Sequence, residues 1–238
     1  MFGFHFFPDL QTGTVAAHQG TVMAAADFFH LRLRGVAAHA CFPERGTDAI
    51  QAAAQLIAAM NFLAAKGRNP ARPALISVGT IKGGTAANII ADQVEMSGTI
   101  RTIDEEQRRD FLARFRNLLA KTAAAAGAGV DIDLQPVAPA LVNDARLLDF
   151  VARLAGEVPG LETLVTTPEP VMGSEDFAYF AERLPGCYLK IGCGNPRQGI
   201  DQPLHSTLFD LDEKALGLAA RLLAAVVCRA QEIPSPAR

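Results

Sequence analysis

The sequence predicts an α/β protein organised around a βαββαβ unit, an antiparallel sheet with two helices on one face. Three observations predict it. The stretches Phe28–Arg34 and Val130–Leu134 alternate apolar and polar residues, the period of a half-buried strand. Two stretches between them carry apolar residues at helical spacing: Ile50, Ala53, Ile57, Met60 and Ala64, then Phe111, Leu112, Phe115, Leu118 and Leu119. A pair of strand-like runs, Leu75–Ile81 and Val94–Arg101, is joined through Gly83–Gly84.

The elements follow in order. The stretch Met1–Phe7 is a strongly apolar strand with one histidine, His5, and Pro8–Asp9 is expected to end it. After the strand that closes at Arg34, Gly35 and Pro43 bracket a loop that holds His39. Thr47–Asp48 is a capping pair for the first helix. The two glycines before Asn88 suit a tight turn or a close approach of backbone to a ligand, and the Asn88 amide can both donate and accept. Alternation with Glu95, Ser97 and Thr99 aims Arg101 away from the helices, and Asp104 caps the second helix. The basic residues of that helix, Arg108 among them, read as a solvated face. Pro136–Pro139 reads as a linker. Beyond it, Asn143 is expected to cap a helix to about Glu157, followed by a strand near Leu164–Thr166. Ser174, ahead of Glu175 and Asp176, marks another helix start, and Cys187–Ile191 is a strand. A long loop carrying His205 leads into a last helix, Asp212–Cys228.

Composition narrows the function classes. The 238 residues are 50% hydrophobic, enough for a sizeable core, and the formal charge is −3. No block of Lys or Arg points to nucleic acid or an anionic membrane. The four cysteines show no CxxC spacing, so no zinc ribbon or redox motif is present. No leader segment is visible, and the apolar run Ala215–Cys228 contains Arg221 and is too short to span a bilayer, so the cytoplasm is the expected location.

Six short motifs occur in order: Gly3-Phe4-His5-Phe6-Phe7-Pro8-Asp9, Arg34-Gly35-Val36-Ala37-Ala38-His39-Ala40, Gly83-Gly84-Thr85-Ala86-Ala87-Asn88, Gly98-Thr99-Ile100-Arg101, Met172-Gly173-Ser174-Glu175-Asp176-Phe177 and Pro203-Leu204-His205-Ser206. Together they resemble the metal-dependent amidohydrolases that include hippurate hydrolase and the plant auxin-conjugate hydrolases, relatives of aminoacylase and carboxypeptidase G. The resemblance implies a two-metal α/β catalytic domain interrupted by a ferredoxin-like lid, or dimerisation, domain. Residues 27–136 would be the lid, with 1–26 and 137–238 the two parts of the catalytic domain.

The resemblance also implies roles. His5 and His205 match metal ligands, each serving one of two divalent ions, Zn or Mn. His39 matches a lid histidine that reaches the partner subunit's active site and donates to the oxyanion formed on the amide. Asn88 and Arg101 match lid residues that hold the substrate carboxylate. Glu175 matches a position near the metals and is grouped with the substrate-binding residues. The implied reaction is hydrolysis of the amide bond of N-acyl amino acids by a homodimer paired through its lids. Relatives carry an N-terminal segment with a Gly-Cys-Gly-His-Asp motif and a paired Glu-Glu, neither of which occurs here. The chain is therefore expected to be a truncated copy, inactive alone. The alternative is a non-catalytic dimerising or small-ligand-binding module.

Overall fold

The computed structural model describes residues 1–66, 72–161, 165–166 and 169–234. In chain order its elements are strands β1 (Phe2–Gln11), β2 (Val15–Ala17), β3 (Gly20–Met23), β4 (Ala25–Arg34) and β5 (Ala38–His39), helix α1 (Ala49–Lys66), strands β6 (Ala74–Gly83), β7 (Ile89–Ile90) and β8 (Gln93–Thr102), helix α2 (Glu105–Ala125), strands β9 (Gly129–Ala138) and β10 (Leu141–Asn143), helix α3 (Ala145–Ala155), strand β11 (Val165–Thr166), helix α4 (Phe177–Ala181), strand β12 (Cys187–Gly194) and helix α5 (Lys214–Cys228). The chain folds as two compact units. One comprises Ala24–Ala140 with Met172–Ser174, and the other Met1–Met23, Leu141–Val171 and Glu175–Arg238.

The unit that is inner in sequence, Ala24–Ala140 with Met172–Ser174, is the βαββαβ sandwich. Its antiparallel sheet has the order β6-β8-β4-β9. Alternation decides which face is covered: Phe29, Leu31 and Leu33 of β4 and Val94, Met96 and Ile100 of β8 are buried against α1 and α2. The ring of Phe29 lies over Gly98, where an added Cβ would stand 2.4 Å from Phe29 Cζ. The α2 stripe of Phe111, Phe115 and Leu119 is buried as its spacing predicts, and Asp104 caps that helix by accepting from Gln107 N–H. In α1 the buried stripe is Ala49, Ala52, Ala53, Leu56 and Met60, while Ile50 of the expected stripe is 48% exposed. Alanines let the helix approach the sheet closely, and a count weighted toward large side chains overlooks them.

Arg108 departs from the solvated reading. Its Nε and Nη2 donate to Asp27 Oδ2 and Oδ1 at 2.8 and 2.7 Å, and the two side chains are 13% and 2% exposed. Hydrogen bonding to Asp27 raises the Arg108 pKa above its ordinary value despite the opposing effect of burial. Residues Pro136–Ala138 also differ from the expected linker, because β9 continues through them beside Asp27 and Ala26 across a register shift.

The outer unit carries a sheet of order β1-β12-β2-β11, with β1 and β12 parallel. Phe4 and Phe6 pack against a core that includes Leu189 and Ile191 of β12, Phe150 and Val151 of α3 and Leu222 of α5. Strand β1 runs past Pro8 to Gln11, with a register shift between Phe7 and Gln11. Among the described strands β1 is an edge, where a proline costs no ladder bond. Asp144, not Asn143, caps α3 by accepting from Arg146 and Leu147 N–H. Asn143 instead ties β10 to β12: its Oδ1 accepts from Tyr188 N–H at 2.7 Å and its Nδ2 donates to Tyr188 O at 3.1 Å. The expected strand near 164–166 is present at Val165–Thr166, and Leu164 lies outside the described residues. No helix among the described residues is long and apolar enough to cross a membrane.

Candidate active site

The outer unit gathers polar side chains on one face of the β1–β12 pair. Neighbours in register share a face, and Gly3 pairs with Tyr188 while His5 pairs with Lys190. Since Phe4 and Phe6 fill the core on the other side, His5, Phe7, Tyr188 and Lys190 project together. Phe177 of α4 lies over Gly3, where a Cβ would stand 2.8 Å from the ring, and its ring centroid is 5.8 Å from that of Tyr188. The glycine therefore admits the aromatic pair that seals this end of the face.

Tyr188 holds Glu175. Its hydroxyl donates to Glu175 Oε2 at 2.7 Å, and Asp176 N–H donates to Glu175 Oε1 at 3.1 Å. Burial first, and then the neighbouring carboxylate, raise the phenol pKa well above its ordinary value, so Tyr188 stays a donor. Glu175 is thus anchored to a strand whose face it shares with His5.

His5 has the chemistry of a ligand. Its Nδ1 lies 2.8 Å from Phe6 O. A carbonyl only accepts, so Nδ1 carries the proton and the lone pair is on Nε2. A backbone carbonyl bonded to the other ring nitrogen orients metal-bound imidazoles generally. The ring sits 5.5 Å from Phe7, whose ring also lies 5.3 Å from Lys190 Nζ. Lys190 is 6% exposed, and that burial lowers its pKa, opposed by the charge of Asp9.

His205 sits in the long loop after β12. It is the third residue of a turn closed by Ser206 N–H to Pro203 O at 3.2 Å, with φ +68°. No other non-glycine among the described residues has positive φ. Such a conformation costs on the order of 1–3 kcal/mol and clusters at functional sites. The loop returns to β12 where Asp212 N–H donates to Cys193 O. Among the described residues, no group of three or more His, Cys, Asp and Glu side chains is placed to hold a metal ion.

The inner unit holds the other three predicted residues. His39 and Asn88 are brought together by the two-stranded β5–β7 ribbon, where His39 pairs with Ile89 and Ala40 N–H donates to Asn88 O at 3.0 Å. Cys41 N–H donates to His39 Nδ1 at 3.2 Å, which places the proton on Nε2. Arg101 lies near the far end of β8, eight residues past Gln93, or about 26 Å at the usual strand rise. Its Nη1 donates to Met172 O at 3.1 Å and Ser174 Oγ at 3.4 Å. Ser174 therefore receives an arginine and does not cap α4. Within one copy, Arg101 does not converge with His39 and Asn88.

Sequence reasoning missed Tyr188, Lys190 and the Cys41–Arg45 loop. Tyr188 and Lys190 read only as strand residues, and the loop only as a bracket for His39. The register that joins Lys190 to His5, 185 positions apart, leaves no local sequence signal.

Comparisons with known proteins fit this geometry. Residues 26–126 match the peptidase dimerisation domain of the M20 type. The chain is 32% identical to an N-acetylcysteine deacetylase of Bacillus subtilis over 224 residues, 94% of this chain and 57% of that protein. It is 28% identical to an IAA-amino acid hydrolase of Arabidopsis thaliana over 233 residues, 96% of this chain and 53% of that protein. A Bacillus subtilis crystal structure, of a dinuclear metal binding peptidase from the M20 family, superposes with a TM-score of 0.80 at 29% identity, covering 98% of this chain and 57% of that one. The chain thus spans little more than half the length of the relatives it matches. Residues 26–126 thus match a peptidase dimerisation domain, and over nearly its whole length the chain is similar to part of an N-acetylcysteine deacetylase, an amino acid hydrolase and a dinuclear metal binding peptidase from the M20 family.

Proposed function

We propose that this chain serves the metal-dependent hydrolysis of the amide bond of N-acyl amino acids, with aromatic acyl groups of the hippurate type among its substrates. The observation that carries the reading is the shared face of β1 and β12, where His5 presents Nε2 as a lone-pair donor and Tyr188 anchors Glu175. The names of the deacetylase and the amino acid hydrolase among the relatives support it. His5 and His205 would hold divalent ions, Zn or Mn, which when bound polarise the amide carbonyl and activate the attacking water. The chain's own residues do the rest. Glu175, fixed by Tyr188, is an acceptor at the edge of the substrate site. His39 offers Nε2–H to the oxyanion, and a donor placed for that charge is worth about 10²–10³ in kcat. Asn88 and Arg101 address the substrate carboxylate, and their separation within one copy suits a homodimer in which each copy supplies one of them.

The test is an assay of the protein with Zn²⁺ or Mn²⁺ and a panel of N-acyl amino acids, including N-benzoylglycine and N-acetyl derivatives. Turnover abolished by a chelator and restored by the metal is expected of the full-length protein, and no turnover of these 238 residues assayed alone. Absence of turnover by the full-length protein with every substrate overturns the reading. It would favour a dimerising or small-ligand-binding module.

A further inference from the structure

The loop after His39 folds back onto the histidine. Phe42 N–H donates to His39 O at 2.8 Å, closing a four-residue turn, and Cys41 N–H donates to His39 Nδ1 from inside that turn. The Phe42 ring meets the imidazole edge-on with centroids 6.4 Å apart. A 3-10 turn over Pro43–Arg45 then returns Arg45 to the same ring, its guanidinium carbon 4.6 Å from the centroid. Phe42 is 46% exposed, so burial of the ring gives only part of a reason for an aromatic there.

We propose that Phe42, held by Arg45, is a positioning residue for His39, keeping the imidazole turned so that Nε2–H points out of the loop. The physical need is specific. The outer side-chain torsion of histidine is broad and roughly two-fold, so a half-turn that exchanges Nδ1 for a ring carbon is opposed only by contacts. The Cys41 bond opposes it on one edge of the ring, and Phe42 packs the ring in place. A cation over the face of Phe42 holds the phenyl in turn. This inference rests on the proposed role of His39 as oxyanion donor, but its first measurement does not need activity.

The experiment is ¹⁵N NMR of the His39 ring at a pH where imidazole is neutral, on the wild-type protein and on Phe42→Ala, Phe42→Tyr and Arg45→Gln. The wild type should show a bare Nδ1 and a protonated Nε2. Phe42→Ala should move both signals toward the average of the two tautomers, Phe42→Tyr should restore them, and Arg45→Gln should fall between. Signals in Phe42→Ala identical to wild type overturn the inference, whatever the enzyme does. In the hydrolysis assay Phe42→Ala should lower kcat about three- to tenfold with KM unchanged, the range expected of one aromatic contact. A shifted tautomer with unchanged kcat leaves the positioning established and removes His39 from the chemistry, so the two readings fail separately.

Discussion

The Tyr188 hydroxyl and the Glu175 carboxylate are joined by a 2.7 Å hydrogen bond that ties the segment before α4 to the central strand β12. The tyrosine is 2% exposed and its backbone is clamped on both polar atoms by Asn143. Glu175 is therefore placed by the core as well as by its own loop. Tyr188→Phe keeps the ring packing with Phe177 and removes only the donor. It should cost about 1.5–3 kcal/mol, the range for a hydrogen bond to a charged group. Urea denaturation measures that loss. In the hydrolysis assay the same variant should lower kcat/KM, because Glu175 would no longer be fixed on the face that carries His5.

The Arg108–Asp27 pair makes a sharper stability prediction. Both side chains are largely out of water and joined by two bonds. Removing one partner strands a buried charge, which typically costs about 3–5 kcal/mol, whereas replacing both with apolar groups of similar volume is often neutral. Arg108→Ala and Asp27→Ala should each destabilise strongly, and Asp27→Leu with Arg108→Met should recover most of the loss. A double-mutant cycle by chemical denaturation checks it. Additive effects would show that the pair contributes little coupling.

Assembly should use one edge of the inner sheet. The sheet ends in β6 on one side and β9 on the other. On β9, Asp131, Asp133 and Gln135 punctuate the strand, and charged residues blunt an edge against pairing. On β6, Leu75 and Ile81 are 37% and 51% exposed. A dimer through this domain should therefore pair at β6, beside α1. Ile81→Lys should shift the protein to monomer in sedimentation at micromolar concentration, and Gln135→Lys, an exposed position on β9, should leave the dimer intact. The reverse pattern would assign the interface to β9.

Much of the inner unit was legible because its signals are periodic. Phe29, Leu31 and Leu33 announce one face of β4, and Phe111, Phe115 and Leu119 one face of α2. The α1 stripe is shifted from its expected place because Ala49 and Ala52 complete its buried face, and alanines carry little weight in a hydrophobic pattern. Arg108 was misread because its partner lies 81 positions away and helical spacing alone placed it in solvent. The cap of α3 slipped by one residue, since Asn143 and Asp144 are equally good caps in isolation and only the tertiary bonds of Asn143 to Tyr188 decide between them. The site residues are a different case. His5, His39, Asn88, Arg101, Glu175 and His205 are candidates through motifs alone, and nothing in their local periodicity distinguishes them from ordinary loop and strand residues. The contacts that position them, from Tyr188, Cys41 and Phe42, follow from register and turn geometry that no short motif encodes.

The acid limb of stability should depend on Asp144. Its Oδ1 accepts from Arg146 and Leu147 N–H at 3.0 and 3.2 Å, capping α3, while Oδ2 accepts from the Arg146 guanidinium at 2.9 Å. The Arg146 hydrogen bond, followed by the backbone bond from Leu147, holds the carboxyl below its ordinary value against the effect of partial burial. The sign follows from linkage. A carboxyl whose folded pKa lies below its unfolded value of 3.8 contributes its full stability above that value, and loses it as pH falls through the depressed folded value. Asp144→Ala should cost about 0.5–2 kcal/mol at neutral pH, the usual worth of an N-cap. Asp144→Asn keeps an oxygen for the two backbone donors but not the charge, so it should cost less and should flatten the fall in stability below about pH 4. Thermal melts of the three proteins between pH 7 and pH 3 measure both effects. An acid limb in Asp144→Asn as steep as in the wild type would assign the pH dependence to other carboxylates, of which Asp104, paired with Arg72, is the first to substitute next.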